Sequence, residues 1–536
     1  MLARICPRSM RERLLSPGRV SLSYYGFQSR AKLHFITVNL DPSRAPEAEL
    51  KQAALNALKN SKSGDTQRNG SSNADAELAE CASAQQQEDA AIILASRSLA
   101  SWLEDTAFVS RLLKHSGLVG NPVSRQQMIH VLSAAVDEVP RFDRRCNSYA
   151  SSEGLSILCG GLRNLPGLWK EGNVEAGAQS CLEFQVTQVK RTGQLKVNLP
   201  LANTVFSNGR PHTLFANLWQ TDGAAGLRLV KRMERTTQAI DTGSASPGGR
   251  PERLPKAVVA SRLVPVTEAR RIVAGLGNIL RQIDINGTSA PASKELEAII
   301  PALLKERQTQ LGQRGHHLAA GPIGVWALIM PAHVVEDRLR SWPAPLEPLY
   351  SKNYEIPLDE PALAKRMLEA TNGFLAAGCQ FRKILSGGGG WGSKQGLLSL
   401  DPQTRLAVSE QQDLEDFIKS FHGDHGSTGS IVAPGSYVQF FVEPALRPEQ
   451  ESELCWPREC YSASSPTVAI GTSGATPWPP QDDLAEAWPA LFGAVSSQGL
   501  YLSAYGSLPD VNTVASKLDA PRSYVVSTNL DSSKPL

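Results

Sequence analysis

At 536 residues the chain is too long for one ordinary core, and 41% hydrophobic with 20% charged residues is the balance of a soluble globular protein of about two to four domains. No stretch reaches the roughly 18 apolar residues a bilayer crossing requires. The nearest, "GPIGVWALIMPAHVV" from Gly321, is interrupted by Pro331 and His333, so no membrane span is expected. The net charge of +3 sits at one end: the first 40 residues hold seven Lys or Arg against the single acid Glu12, leaving 48 basic and 51 acidic residues in the remainder. Global electrostatics therefore give no support to nucleic-acid binding, although a local basic patch is compatible with these counts.

Residues 1–32, "MLARICPRSMRERLLSPGRVSLSYYGFQSRAK", are rich in Arg and Ser, with Leu2, Ile5, Met10 and Leu14 available for one apolar helical side. That is the composition of a mitochondrial transit peptide, so a cleaved leader and a matrix location are expected, with an untargeted basic tail as the alternative. Pro7 and Glu12 depart from the pattern. The eight cysteines are scattered without a CxxC pair, and Cys455 and Cys460 in "CWPREC" have no second pair to complete a zinc site. Free thiols in a reducing compartment are the expectation.

The predicted fold class is α/β with mixed sheets: two α/β domains with antiparallel hairpin elements and long polar loops. In the first domain, 33–235, "LHFITVNL" predicts a strand and "APEAELKQAALNALKN" a helix, followed by a polar, repetitive insertion over 61–90. "AAIILAS" predicts a strand, and Leu99, Trp102, Leu103, Val109, Leu112 and Leu113 a helix stopped at Gly117. "MIHVLSAAVDEV" and "LSILCGG" follow as apolar runs; then Leu182, Phe184 and Val186 alternate with polar residues, as do Leu195, Val197 and Leu199, predicting a hairpin with one wet face.

Residues 236–256, dense in Gly, Pro, Ser and Thr, read as a linker. In the second domain, 257–536, Ile272, Val273, Leu276, Ile279, Leu280 and Ile283 predict a helix, "GVWALIM" a strand, and a helix runs from Asp359 to Asn372-Gly373. Ser409-Glu-Gln-Gln412 is a capping-box pattern for another helix. Late strands are expected at "SYVQFFVEP", "TVAIGTS", "GLYLSAYGS" and "SYVVSTN", around a Pro-rich excursion over 444–483.

The candidate site centres on "FRKILSGGGGWGSKQG", 381–396. Gly387, Gly389 and Gly392 satisfy G-x-G-x-x-G, but Gly396 and Pro402 oppose the helix that should receive a pyrophosphate, and Lys394 is displaced by one residue from the phosphate-loop position. What remains is a loop with accessible amides, flanked by Arg382, Lys383 and Lys394 and centred on Trp391, a combination suited to an anionic ligand or RNA. The alternative is a surface loop or tight crossing whose Trp packs into a core. In "FHGDHGSTGS", His422, Asp424 and His425 match the end of a metallo-hydrolase motif, with Ser420 where its first His belongs. "GTSGA" misses a nucleophile elbow at Ala475, and Asp137 and Glu138 at a strand end are assigned no role.

The expected function is thus a mitochondrial-matrix accessory or binding factor without a complete catalytic motif, meeting a protein or RNA partner or an anionic small molecule. An enzyme acting on a phosphorylated or anionic small molecule is the alternative, and a metal-dependent hydrolase using residues 422–425 the remoter one.

Overall fold

A strand that is apolar on both sides must be covered on both faces. "AAIILAS" meets that requirement as Ala90–Ser96, at the centre of a seven-stranded sheet. The computed structural model of the chain describes residues 34–66, 89–116, 127–143, 148–170, 179–187, 194–222, 226–242, 256–312, 323–338, 359–387, 396–406, 431–446, 450, 466–474, 483–505 and 515–528. Within these the architecture is mixed α/β and rich in sheet, and no helix is long and apolar enough to cross a membrane.

The seven-stranded sheet runs in the order Gly226–Glu234, Leu214–Asp222, Met128–Val136, Ala90–Ser96, Gly154–Gly160, His34–Leu40, Ala485–Pro489. Only Ala90–Ser96 and Met128–Val136 pair in parallel; the other neighbours are antiparallel. Helices Glu47–Thr66 and Thr106–His115 cover one face through Leu50, Leu55, Leu58, Phe108 and Leu112. The single helix expected over 99–113 is instead a 3-10 helix, Arg97–Leu103, followed by the α-helix. The break lies at Asp105, whose Oδ1 accepts the Phe108 N–H at 3.0 Å while its Oδ2 holds Lys51 Nζ at 2.8 Å. A carboxylate that caps one helix and pins its neighbour gives more than continuing the first helix would.

The opposite face packs on a five-stranded sheet, Thr237–Asp241, Cys181–Thr187, Gln194–Pro200, Leu500–Tyr505, Ala515–Leu518. The predicted hairpin is present, with Leu182, Phe184, Val186, Leu195, Val197 and Leu199 turned to the shared core. The stretch 236–256, linker-like in composition, begins with a strand: Thr237–Asp241 pairs in parallel with Cys181–Thr187 and buries Gln238 and Ile240. A four-stranded sheet, Lys256–Ala260, Tyr524–Thr528, Thr467–Thr472, Leu491–Ser496, packs on the same core. Rings of Phe142, Tyr149, Trp488 and Tyr524, with centroids 5.4 to 6.1 Å apart, join it to the first half of the chain.

The helix expected over 267–283 is a strand pair, Arg270–Leu276 and Ile279–Ile285, turning at Gly277 with φ 58°. Ile272, Leu280 and Ile283 are buried as expected, but Val273 is 41% and Leu276 57% exposed: Val273 alternates away from Ile272, and the two register shifts between Ile272 and Gly275 turn Leu276 outward as well. β-branched side chains and a glycine able to take positive φ favour the hairpin. These two strands, with Leu398–Leu400, Gln380–Gly387, Val325–Met330 and Tyr437–Val442, close into a six-stranded antiparallel barrel that composition did not announce. Its interior is filled by Ala327, Ile329, Leu398, Leu400, Val438 and Phe440, while Trp326, Leu328, Phe381 and Phe441 point outward into the central core.

Strands from beyond residue 256 enter sheets of the first half. Ala485–Pro489 pairs with His34–Leu40, and Leu500–Tyr505 with Gln194–Pro200. The hydrogen-bonded bodies are therefore woven from both halves of the chain.

Candidate functional site

The Gln380–Gly387 strand carries the predicted cations, and alternation sends them to opposite sides. Arg382 lies opposite Ala327 and shares the barrel-interior face; Lys383 lies opposite Trp326 and faces out. Arg382 is only 3% exposed. Its Nη1 donates to the carbonyls of Asp401, Pro402 and Gln403 at 3.0, 3.0 and 3.2 Å, and its Nη2 to Gln380 Oε1 at 2.8 Å. The buried guanidinium thus closes the barrel end by holding the turn that follows Leu398–Leu400.

That turn reaches the five-stranded sheet. Lys517 Nζ, from the edge strand Ala515–Leu518, donates to Asp401 Oδ2 at 2.8 Å and to Gln403 Oε1 at 3.3 Å. The Tyr501 hydroxyl donates to Gln403 Oε1 at 3.0 Å, and Lys517 Nζ stands 5.5 Å from the Tyr501 ring centroid. Beside them Trp326 Nε1 donates to Asp519 Oδ1 at 2.7 Å, with Lys383 Nζ 5.8 Å from the Trp326 ring centroid. Barrel and sheet are clasped by side chains on segments near 326, 382, 401, 501 and 517.

Burial pushes Asp519 up, against the opposing pull of the Trp326 N–H and the Lys517 and Lys383 charges. Burial pulls Lys517 down, but the hydrogen bond to Asp401 and the surrounding negative groups outweigh it, and the ammonium ends above its ordinary value. The Tyr501 phenol is raised by burial, so it remains a donor rather than an activated base. Arg382 is pushed down to about 10 by burial, which the more distant Asp401 and Asp519 offset in part. Among the described residues no carboxylate is ion-paired with Arg382, and its Nε is buried without a hydrogen-bond partner. The buried Arg382, the half-buried Lys517 and the exposed Lys383 thus stand near two carboxylates, Asp401 and Asp519.

Of the sequence-derived site, the structure brings Arg382 and Lys383 into this cluster on different faces of one strand. Gly387 ends the strand, roughly 13 Å along it from Lys383. A Cβ there would meet Leu398 Cδ2 at 2.3 Å, which accounts for the glycine sterically. Gly389, Trp391, Gly392 and Lys394 lie outside the described residues, as do His422, Asp424, His425, Cys455, Cys460 and the 409–421 stretch. Asp137 Oδ2 accepts both the amide and the hydroxyl of Ser497 at 2.8 Å, a structural tie across the two halves. Among the described residues no group of three or more His, Cys, Asp or Glu could hold a metal ion.

Sequence reasoning missed Trp326, Asp401, Gln403, Tyr501, Lys517 and Asp519. Nothing local marks them, since the fold brings them together from four separate stretches. The chain matches no protein-family model, no curated protein and no solved structure.

Proposed function

We propose that the protein is a binding factor for an anionic small molecule, carboxylated or phosphorylated, received at the outer rim formed by Lys383 and Lys517. The observation that carries this reading is Arg382, a buried cation without an ion-paired carboxylate among the described residues. It raises the positive potential behind the rim, where water screens little. Three cations interspersed with two carboxylates favour a compact anion over a nucleic-acid backbone, which needs a longer basic track.

Lys383 is the residue to vary, because it is exposed and its charge can be removed without unbuilding the clasp. Calorimetric titration of the full chain with inorganic phosphate, nucleotides and carboxylate metabolites is expected to find a binder that Lys383→Ala weakens about tenfold and Lys383→Arg largely restores. A binder with the same affinity for wild type and Lys383→Ala removes this site from the reading.

The second part of the proposal is the address. Protein recovered from mitochondria is expected to begin near residue 33, as read by N-terminal sequencing. Intact Met1 on a cytosolic pool would overturn the leader and the matrix location together.

A further inference from the structure

An anion arriving at the Lys383–Lys517 rim meets a carboxylate as well as two cations, and that carboxylate is only half engaged by the fold. Asp401 has both oxygens bonded: Oδ1 accepts the Gln403 N–H at 2.9 Å and Oδ2 holds Lys517 Nζ at 2.8 Å. Asp519 differs. Its Oδ1 accepts the Trp326 Nε1–H at 2.7 Å, whereas its Oδ2 has no hydrogen-bond partner among the described residues. The side chain is half-buried, and Lys383 and Lys517 both act on its charge, yet among the described residues neither ammonium forms an ion pair with it.

The groups that act on one another here are three cations, Arg382, Lys383 and Lys517, and two carboxylates, Asp401 and Asp519, a net charge of +1. Lys517 is paired with Asp401, and Arg382 is turned to backbone carbonyls and Gln380. That leaves Lys383 and Asp519 as the opposite charges at the rim without an ion pair. They flank one side chain, with Asp519 on the Trp326 indole N–H and Lys383 Nζ 5.8 Å from the ring centroid. A plain anion drawn to Lys383 therefore sits beside Asp519 and is repelled by it, more strongly than in open water because the carboxylate is partly desolvated. An anion that also carries an ammonium group turns the same neighbour into a charge-assisted hydrogen bond.

Resting on the ligand reading above, we infer that the rim takes an amino acid bearing a second acidic group, its ammonium on Asp519 Oδ2 and its acids on Lys383 and Lys517. The net charge of −1 on such a ligand balances the +1 of the site. Trp326 and Tyr501 are 2% and 5% exposed, so neither offers a ring face on which a nucleobase would stack. A site whose polar group needs a donor discriminates strongly against an analogue that lacks one, because binding then leaves that group desolvated and unpaired. Asp519 is thus a specificity residue and Lys383 an affinity residue of the same site.

The test is calorimetric titration of the full chain with aspartate and succinate, and with glutamate and glutarate, pairs that differ by the amine; inorganic phosphate and nucleotides complete the panel. Each amino acid is expected to bind at least about tenfold tighter than its partner without the amine. Asp519→Asn keeps an oxygen for the Trp326 N–H and removes the charge, so it is expected to weaken the amino acids, strengthen succinate and glutarate, and abolish the preference. Lys383→Ala is expected to weaken both members of each pair. Should Asp519→Asn fail to fold, the wild-type pairs still decide. Lys383-dependent binding in which succinate and glutarate match or exceed aspartate and glutamate overturns this inference and leaves the anion site standing. So does Lys383-dependent binding of phosphate or nucleotides alone, or a preference for the amine that survives Asp519→Asn. If nothing in the panel binds in a Lys383-dependent way, the site itself fails and this inference with it.

Discussion

Arg382→Leu is expected to lower the stability of the full chain by about 2–4 kcal/mol and to loosen the turn at 401–403. Two effects compete. Removing a guanidinium that is 3% exposed relieves the cost of keeping a charge away from water, and among the described residues no ion-paired carboxylate is stranded by its loss. Against this, the carbonyls of Asp401, Pro402 and Gln403 lose a shared donor, and Gln380 Oε1 loses its own. Four acceptors released from one buried group outweigh the relief, though Pro402 and Gln403 are half-buried and recover some hydration, which keeps the cost below a simple sum. Urea denaturation reads the total. Hydrogen exchange reads the place, because the Asp401 N–H, bonded to the Lys383 carbonyl at 2.8 Å, should exchange faster in the variant. Arg382→Lys should recover part of the loss, since an ammonium reaches carbonyls but lacks the planar fork. A cost under about 0.5 kcal/mol for Arg382→Leu would mean that the barrel end closes without it.

Gly493→Ala is expected to be worse, at or above about 4 kcal/mol, with soluble expression itself at risk. Gly493 sits in the Leu491–Ser496 strand, paired in parallel with Ala469 of Thr467–Thr472. A Cβ at 493 would stand 1.7 Å from the Ala469 carbonyl oxygen and 2.7 Å from its carbon. Flexible side chains can move aside, but here the obstruction is main chain within a ladder, and the next strand, Tyr524–Thr528, fixes Ala469 from the other edge. Gly493 is also held by its own N–H, which donates to Ser156 Oγ at 2.9 Å. The double variant Ala469→Gly with Gly493→Ala separates the causes. Because the conflict is with an oxygen and not with the Ala469 methyl, it should stay as destabilised as the single variant in urea titration. A wild-type midpoint for Gly493→Ala would show that the strands can part by more than this packing implies.

Where one residue's chemistry decided local structure, the sequence was readable. "AAIILAS" is the strand expected, the alternation from Leu182 to Leu199 is the hairpin expected, and the helix expected from Asp359 starts there, with Asp359 accepting the Ala362 N–H at 3.5 Å, although it runs through the expected stop at Asn372-Gly373 to Ala376. The 267–283 segment misled because its apolar residues satisfy a helical stripe as well as two short strands, and only closure of the barrel chooses between them. For the candidate site, Arg382 and Lys383 were legible as cations next to glycines. Their different jobs were not, because the side each faces depends on pairing with Ala327 and Trp326 far upstream. Asp401, Tyr501, Lys517 and Asp519 carry no local pattern.

The late strand that completes the seven-stranded sheet has a consequence for biogenesis. Thr37 Oγ1 donates to the Leu491 carbonyl, 454 residues further on, and His34–Leu40 meets Ala485–Pro489 only after all the residues between them have been made. At ribosomal speeds of about 5–20 residues per second, that edge remains open for on the order of half a minute or longer as the nascent chain emerges N-terminus first. An open apolar edge of this kind is a nucleus for misassembly, so the newborn polypeptide should depend on holding chaperones in proportion to how slowly the Ala485–Pro489 strand arrives.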